Sequence, residues 1–419
     1  MSGDRRGARF LTTSHRLNRL CRSERGTPLA RILIILAIVL SLATTLDDRA
    51  VAQQAAGAAA IQSMDVCGDS ISKGVNAQSR FPCPNAEQEE FNWATSLTHG
   101  ADFCNPGPEG VFSHAERIEC LKGSTVISVS PNSAKSGAQM LKDFVSQATA
   151  VSAHLTSKSA PRYVPILMGH NDLCGGSIFK YNFSCPAGSD QDAHNYCRTT
   201  AAAFERELRK GLDILMTIPE THLGVASMVR VSQLCNHGAK TNCQTFSSCQ
   251  NLWTAVAYLG WTFGQPEGIC GSLTVNCTER RIRDAYQSAK TYHDILARVT
   301  GEYALVPPGG RSAMVVVGGQ IVGGAVKAAG VTVAFSDAPW RYKFSSNQLS
   351  CCDCYHPSRA GQNVASRILF EGLTCTTAEP CCRDTGDSLA DGRCAATDTD
   401  GRFYPGLFAP FSSSTTPEP

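Results

Sequence analysis

The sequence predicts an α/β domain built on a parallel sheet with helices on both faces. Two observations carry that reading. From Ser63 to Leu373, short apolar segments alternate with longer stretches that repeat apolar residues every three or four positions. The residues able to do chemistry stand where apolar runs end, and parallel sheets form their sites at the carboxyl ends of strands.

Taken in order, Met64-Asp65-Val66-Cys67 gives a short strand running into Gly68-Asp69-Ser70. Thr125–Val129 is the next strand, and a helix follows from about Gly137 to His154, with Met140, Leu141, Phe144 and Val145 at helical spacing. Tyr163–Met168 is the third strand. Pro165 within it has no N–H to give a ladder, which argues against a central position or requires a local break. A helix over Ala193–Met216 places Phe204, Leu208, Leu212 and Leu215 on one face, and Leu223–Val229 is the strand after it. Cys235–Cys277 reads as an irregular insertion pinned by disulfides, with Trp253 and Trp261 as local core or pocket wall. A helix spans Glu279–Arg298. The glycine-rich run Gly318–Gly324 follows no nucleotide fingerprint and reads as a packing turn. Val331–Phe335 is the last strand, and Pro357-Ser358 opens a final helix to about Leu373.

The boundaries follow from composition. Eight arginines between Arg5 and Arg31 precede an apolar run, Ile32–Leu46, and then the small residues Ala50-Val51-Ala52. This is the three-part design of a secretory signal over residues 1–52, or else of an N-terminal anchor. An Ala/Gln-rich linker follows over 53–62, then the main domain over 63–373. A Cys-rich appendage over 374–411 and a disordered tail over 412–419 complete the chain. Charged residues make up 18% of it and the net charge is +2, so no basic face for nucleic acid is implied. Twenty cysteines behind a signal point to disulfides in a secreted or periplasmic protein. The Cys351-x-x-Cys354 spacing lacks the second Cys/His pair that a zinc site needs, and no metal is expected. Cys270 and Cys277 are expected to pair locally. The sequence leaves the oligomeric state open.

Four blocks carry the chemistry. Ser70 offers a hydroxyl nucleophile. Asp353-Cys354-Tyr355-His356 puts a carboxylate three residues before an imidazole, the base and orienter that a serine nucleophile requires. Asn171, in Gly169-His170-Asn171-Asp172, and Gly137, after Ser136, supply donors of the kind that stabilise an oxyanion. Asp69 and Asp172 read as braces for their turns, and His170 occupies a variable position. The nucleophile elbow Gly-x-Ser-x-Gly is absent.

In their order, Ser70, Gly137, Asn171 and His356 resemble the four blocks of the SGNH (GDSL-type) esterases and lipases. Asn171-Asp172-Leu173-Cys174 and Asp353–Ser358 look most like the phospholipase B-like branch. The resemblance implies a flavodoxin-like three-layer α/β/α sandwich. It implies ester hydrolysis through an acyl-enzyme, with Ser70, Asp353 and His356 catalytic and with Ser70, Gly137 and Asn171 forming the oxyanion hole. It implies no cofactor, and a small ester or acyl lipid as substrate with transient contact to a lipid surface. Deacylation of a carbohydrate, and a secreted binding protein without activity, are the alternatives.

Overall fold

Five parallel lanes form the sheet in the computed structural model, which describes residues 58–374 apart from 81–82, 84–85, 99–103, 105–109, 124–126, 179, 244–245, 263–269 and 275–276. The signal segment, the first part of the linker, the Cys-rich appendage, the tail and the side chain of Trp261 lie outside the described residues. No helix among the described residues is long and apolar enough to cross a membrane.

The elements, in chain order, are β1 (Ser63–Met64), β2 (Cys67–Gly68), α1 (His114–Lys122), β3 (Ser128–Val129), α2 (Met140–Thr156), β4 (Arg162–Leu167), α3 (His170–Leu173), β5 (Ser189–Gln191), β6 (Cys197–Thr199), α4 (Ala201–Leu215) and β7 (Thr221–Ala226). After these come α5 (Cys249–Thr262), α6 (Gly271–Thr274), α7 (Glu279–Leu305), β8 (Val315–Val317), β9 (Gln320–Val322), β10 (Thr332–Ser336), α8 (Ala338–Arg341) and α9 (Arg359–Thr374). The lanes run β3, β1/β2, β4, β7, β10, all parallel. Counted by lane, this is the doubly wound order 2-1-3-4-5, whose switch point lies between the β1/β2 lane and β4.

Side chains alternate across the sheet and bury two cores. Val164, Ile166, Leu223 and Val225 face α2, α4 and α7 through Phe144, Val151, Phe204, Leu208 and Leu296. On the opposite face, Val66, Leu167 and Ala226 pack against Val364, Ile368 and Leu369 of α9, and Met64 and Tyr163 against Ile118 of α1. Burying each such side chain stabilises the fold by roughly 1.5–3 kcal/mol.

β4 is central, and the Pro165 problem is met by a break in the neighbouring lane. Ser63 and Met64 pair with Arg162 and Tyr163, Cys67 and Gly68 pair with Ile166 and Leu167, and the gap faces Val164 and Pro165. The Asp65 N–H donates to Tyr163 O at 3.2 Å. In a parallel ladder the next rung would come from the N–H of residue 165, which proline lacks. The Asp65 carboxylate stabilises the gap. Its Oδ1 accepts from the N–H groups of Val66 (2.7 Å) and Ser133 (3.1 Å), and its Oδ2 bonds the Ser133 hydroxyl and His154 Nδ1, each at 2.8 Å.

Three other expectations shift. Residues ahead of Ala201 are not helical. They form the β5–β6 hairpin, tied by Cys185–Cys197, and α4 starts where Thr200 Oγ1 accepts from the Ala203 N–H at 3.1 Å. The insertion is helical rather than irregular, because the run from Cys249 holds no Gly or Pro until Gly260. Ala58–Ala60, within the stretch read as linker, is helical, and Ala58 and Ile61 are buried against Met64. Gly318 and Gly319 make the turn between β8 and β9, both with positive φ.

The seven disulfides among the described residues fit an oxidising compartment. Cys270 and Cys277 do not pair with each other. They bond Cys174 and Cys235, because folding brings those distant cysteines within a Cα separation of 4.6 and 5.5 Å. Among the described residues fourteen cysteines are bridged, which leaves six of the twenty in the chain, so titration of the unfolded, unreduced protein should find at most six free thiols. Ten or more would contradict the bridging seen here.

Candidate active site

Each end of the switch point contributes one block. β2 delivers Ser70, β3 leads to Gly137, β4 leads to Asn171, and the loop before α9 brings in Asp353 and His356. These side chains meet at a cleft of about 520 Å³ that Ser70, Gly137, Asn171 and His356 all line.

The turn that holds Ser70 is fixed on both sides. Gly68 must be glycine, since a Cβ there would lie 2.1 Å from Ser72 Oγ. Gln147 of α2 grips the Gly68 peptide twice, accepting from its N–H at 2.8 Å and donating to its C=O at 2.9 Å. Asp69 Oδ1 accepts from the Ile71 N–H at 2.9 Å. No helix follows Ser70. Its C=O accepts from the N–H groups of Lys73 and Val75 in a run of turns. The hydroxyl does not face open solvent, for Ser70 is only 7% exposed and sits on the floor of the cleft.

Ser70 Oγ lies 2.7 Å from His356 Nε2, and His356 Nδ1 lies 2.6 Å from Asp353 Oδ2. Asp353 also accepts from Asn76 Nδ2 at 2.5 Å and from the N–H groups of Tyr355 and His356 at 2.9 and 3.0 Å. Four donors converge on one carboxylate. Burial pushes its pKa up, but the adjacent imidazole and these hydrogen bonds outweigh that and hold it below the ordinary carboxylate value. An ionised Asp353 can only accept, so His356 carries its proton on Nδ1 and presents the Nε2 lone pair to the serine hydroxyl.

The loop carrying Asp353 is clamped. Cys351, Cys352 and Cys354 bond Cys243, Cys83 and Cys249, and Trp253 Nε1 donates to Asp353 O at 3.0 Å. The sulfurs of Cys83, Cys243 and Cys352 lie within 4.8 Å of one another, each already in a bridge.

Across the cleft, Gly137 has a φ of +76°, a backbone state that suits glycine. Asn171 Nδ2 donates to Ala138 O at 3.0 Å. A side-chain amide has two N–H groups, so one remains for an oxygen in the cleft. Asp172 joins three elements, accepting from the Met140 N–H (2.7 Å), the Leu141 N–H (3.4 Å) and the Thr199 hydroxyl (2.7 Å). Burial raises its pKa to about 6 against those bonds.

Sequence reasoning left out His170, Asn76 and Gln147. Of these only Gln147 gave a signal, a polar residue interrupting the apolar face of α2 between Phe144 and Val151. His170 is 1% exposed and bridges two lanes. Its Nδ1 lies 2.9 Å from Asp69 Oδ2, while Nε2 accepts the Val229 N–H at 3.0 Å. A backbone N–H can only donate, so the proton sits on Nδ1 and points at Asp69. An asparagine at 170 keeps a donor at the δ position, and a glutamine keeps an acceptor at the ε position. If the Asp69 bond is what holds the nucleophile turn, His170→Asn should retain turnover while His170→Gln loses about tenfold with KM unchanged. Equal kcat in both variants would assign His170 to packing alone.

No protein-family model and no curated protein matches the chain. Among solved structures it is similar to an extracellular lipase from Streptomyces rimosus, at 13% identity and a TM-score of 0.31, over 74% of this chain and 98% of that one. It is also similar to phospholipase A1 from Streptomyces albidoflavus, at 14% identity and a TM-score of 0.29, with the same coverage of each chain.

Proposed function

We propose that the protein is a secreted serine esterase of the SGNH type, hydrolysing carboxylic esters through an acyl-enzyme, with acyl lipids as its main substrates. The observation that carries this reading is the chain of hydrogen bonds from Ser70 through His356 to Asp353, opening onto a cleft whose far side offers Gly137 and Asn171.

Ser70 Oγ attacks the ester carbonyl as its proton passes to His356 Nε2. Negative charge on the carbonyl oxygen meets the N–H groups of Ser70 and Gly137 and the Asn171 amide. Losing one such donor lowers the rate roughly 100- to 1000-fold. Collapse expels the alcohol, which takes the proton from Nε2. Water then attacks the acyl-enzyme, gives its proton to Nε2, and releases the acid as Ser70 regains its hydrogen. Asp353 holds the imidazole in one tautomer throughout and stabilises its charged form. No step needs a metal or an organic cofactor.

One feature favours the second reading, a carbohydrate deacylase. Glu87 and Ser136 line the cleft and bond each other at 2.7 Å, a polar edge suited to hydroxyl groups. A panel of p-nitrophenyl esters, phospholipids and acetylated sugars separates the two. The lipid reading expects phospholipids to be turned over with at least tenfold higher kcat/KM than acetylated sugars, and the reverse ratio would replace it. A fluorophosphonate probe should label Ser70, and labelling of the Ser70→Ala protein at another serine would sink the nucleophile assignment.

A further inference from the structure

A second, smaller cavity lies directly behind the catalytic loop. It measures about 40 Å³ and is lined by Ile71, Val231, Leu234, Phe344, Leu349 and Pro357. Ile71 follows Ser70 and Pro357 follows His356, so the cavity stands one residue behind both partners of the proposed proton transfer. Tyr355 lines both spaces, the cleft on one side and this cavity on the other. We infer that the two spaces form one site for the hydrocarbon chain of an ester, with the Tyr355 ring as the partition that sets how far the chain reaches. This rests on the esterase reading above and names the part of the substrate that the site selects.

Three features of the surroundings bear on it. The lining is mainly aliphatic and aromatic, and an apolar space of this size takes hydrocarbon more readily than water, which needs two to four polar partners. Of the polar groups at its wall, His237 Nδ1 bonds Ser346 Oγ at 2.9 Å and the Arg230 guanidinium lies over the Trp340 ring at 5.2 Å, while the buried Arg230 Nε has no hydrogen-bond partner among the described residues. The partition lies against the imidazole, the Tyr355 and His356 rings meeting edge to face with centroids 5.0 Å apart. Tyr355 has its backbone fixed by the Asp353 carboxylate and the neighbouring Cys249–Cys354 bridge, whereas its hydroxyl meets only the Cys174 sulfur, at 2.9 Å. Sulfur is a weak partner. Trimming the ring therefore leaves the backbone bonds of this loop in place and removes one ring contact to His356.

The test measures kcat/KM over two ester series, one lengthening the acyl chain from acetyl to decanoyl and one lengthening the alcohol. With each profile normalised to its own acetyl ester, Tyr355→Ala should raise preference for longer chains in one series, about fourfold per methylene newly buried. Leu234→Phe, which fills the rear cavity without touching the cleft, should cancel that gain when added to Tyr355→Ala. Parallel profiles for wild type and Tyr355→Ala in both series, with acetyl activity retained, would overturn the inference. If Tyr355→Ala loses acetyl activity as well, Leu234→Phe alone decides: a loss confined to long chains supports the site, and a uniform change refutes it. Wild-type protein inert on every ester would strike at the esterase reading instead. The cavity is then judged by binding of a fluorescent fatty acid, which Leu234→Phe should weaken at least tenfold and which must show no change for the inference to fail.

Discussion

Ser70→Ala is expected to lower ester turnover by about 10⁶-fold, the scale of loss when a triad serine is removed. The substitution deletes one oxygen, on the cleft floor, and breaks one hydrogen bond, to His356 Nε2. The Gly68 clamp from Gln147 and the Asp69–Ile71 bond use other atoms and remain. Circular dichroism and the melting temperature should therefore match wild type, while the acyl-enzyme disappears from the mass spectrum of protein quenched with a slow ester. Retained turnover in a folded Ser70→Ala protein would end the serine-esterase reading.

Asp353→Asn should lower kcat by about 10⁴-fold, as when an orienting aspartate becomes an amide. Here the geometry states why. Two backbone N–H groups already claim one oxygen of the carboxylate, so the amide places its oxygen there and its NH₂ toward His356 Nδ1 and Asn76 Nδ2. Donor then faces donor. The imidazole answers by moving its proton to Nε2, which presents a hydrogen rather than a lone pair to Ser70. Asn76→Ala, which relieves only the second clash, should recover little of the loss in the double variant. Unchanged turnover in Asp353→Asn would leave Asp353 as a turn residue.

How much of this was legible in the sequence depends on how local the cause is. Helical spacing of Phe204, Leu208 and Leu212 was enough to locate α4, because one buried face leaves a periodic trace. Its start was not legible, since Tyr196 to Thr199 read equally well as helix until pairing with Ser189–Gln191 and the bridge from Cys185 decide the matter. Pro165 announced a broken ladder but not that the break would fall in the adjacent lane, opposite it. Among site residues, Ser70, Gly137, Asn171, Asp353 and His356 stand in short blocks with recognisable chemistry. His170 and Asn76 reach their partners across 101 and 277 positions, and nothing near them in the chain marks the contact. Bridges such as Cys83–Cys352, 269 residues apart, depend wholly on the finished fold.

The triple clamp on residues 351–354 has a consequence for when the proposed site is completed. All three cysteines around Asp353 draw their partners from far away, 269, 108 and 105 positions distant, so none of these links exists before the rest of the domain has assembled and been oxidised. In a compartment that keeps thiols reduced, the loop has no covalent hold on the position of its carboxylate and is left to hydrogen bonds such as those from Asn76 and Trp253. On the esterase reading proposed above, oxidation rather than synthesis would then set the moment at which the site is complete.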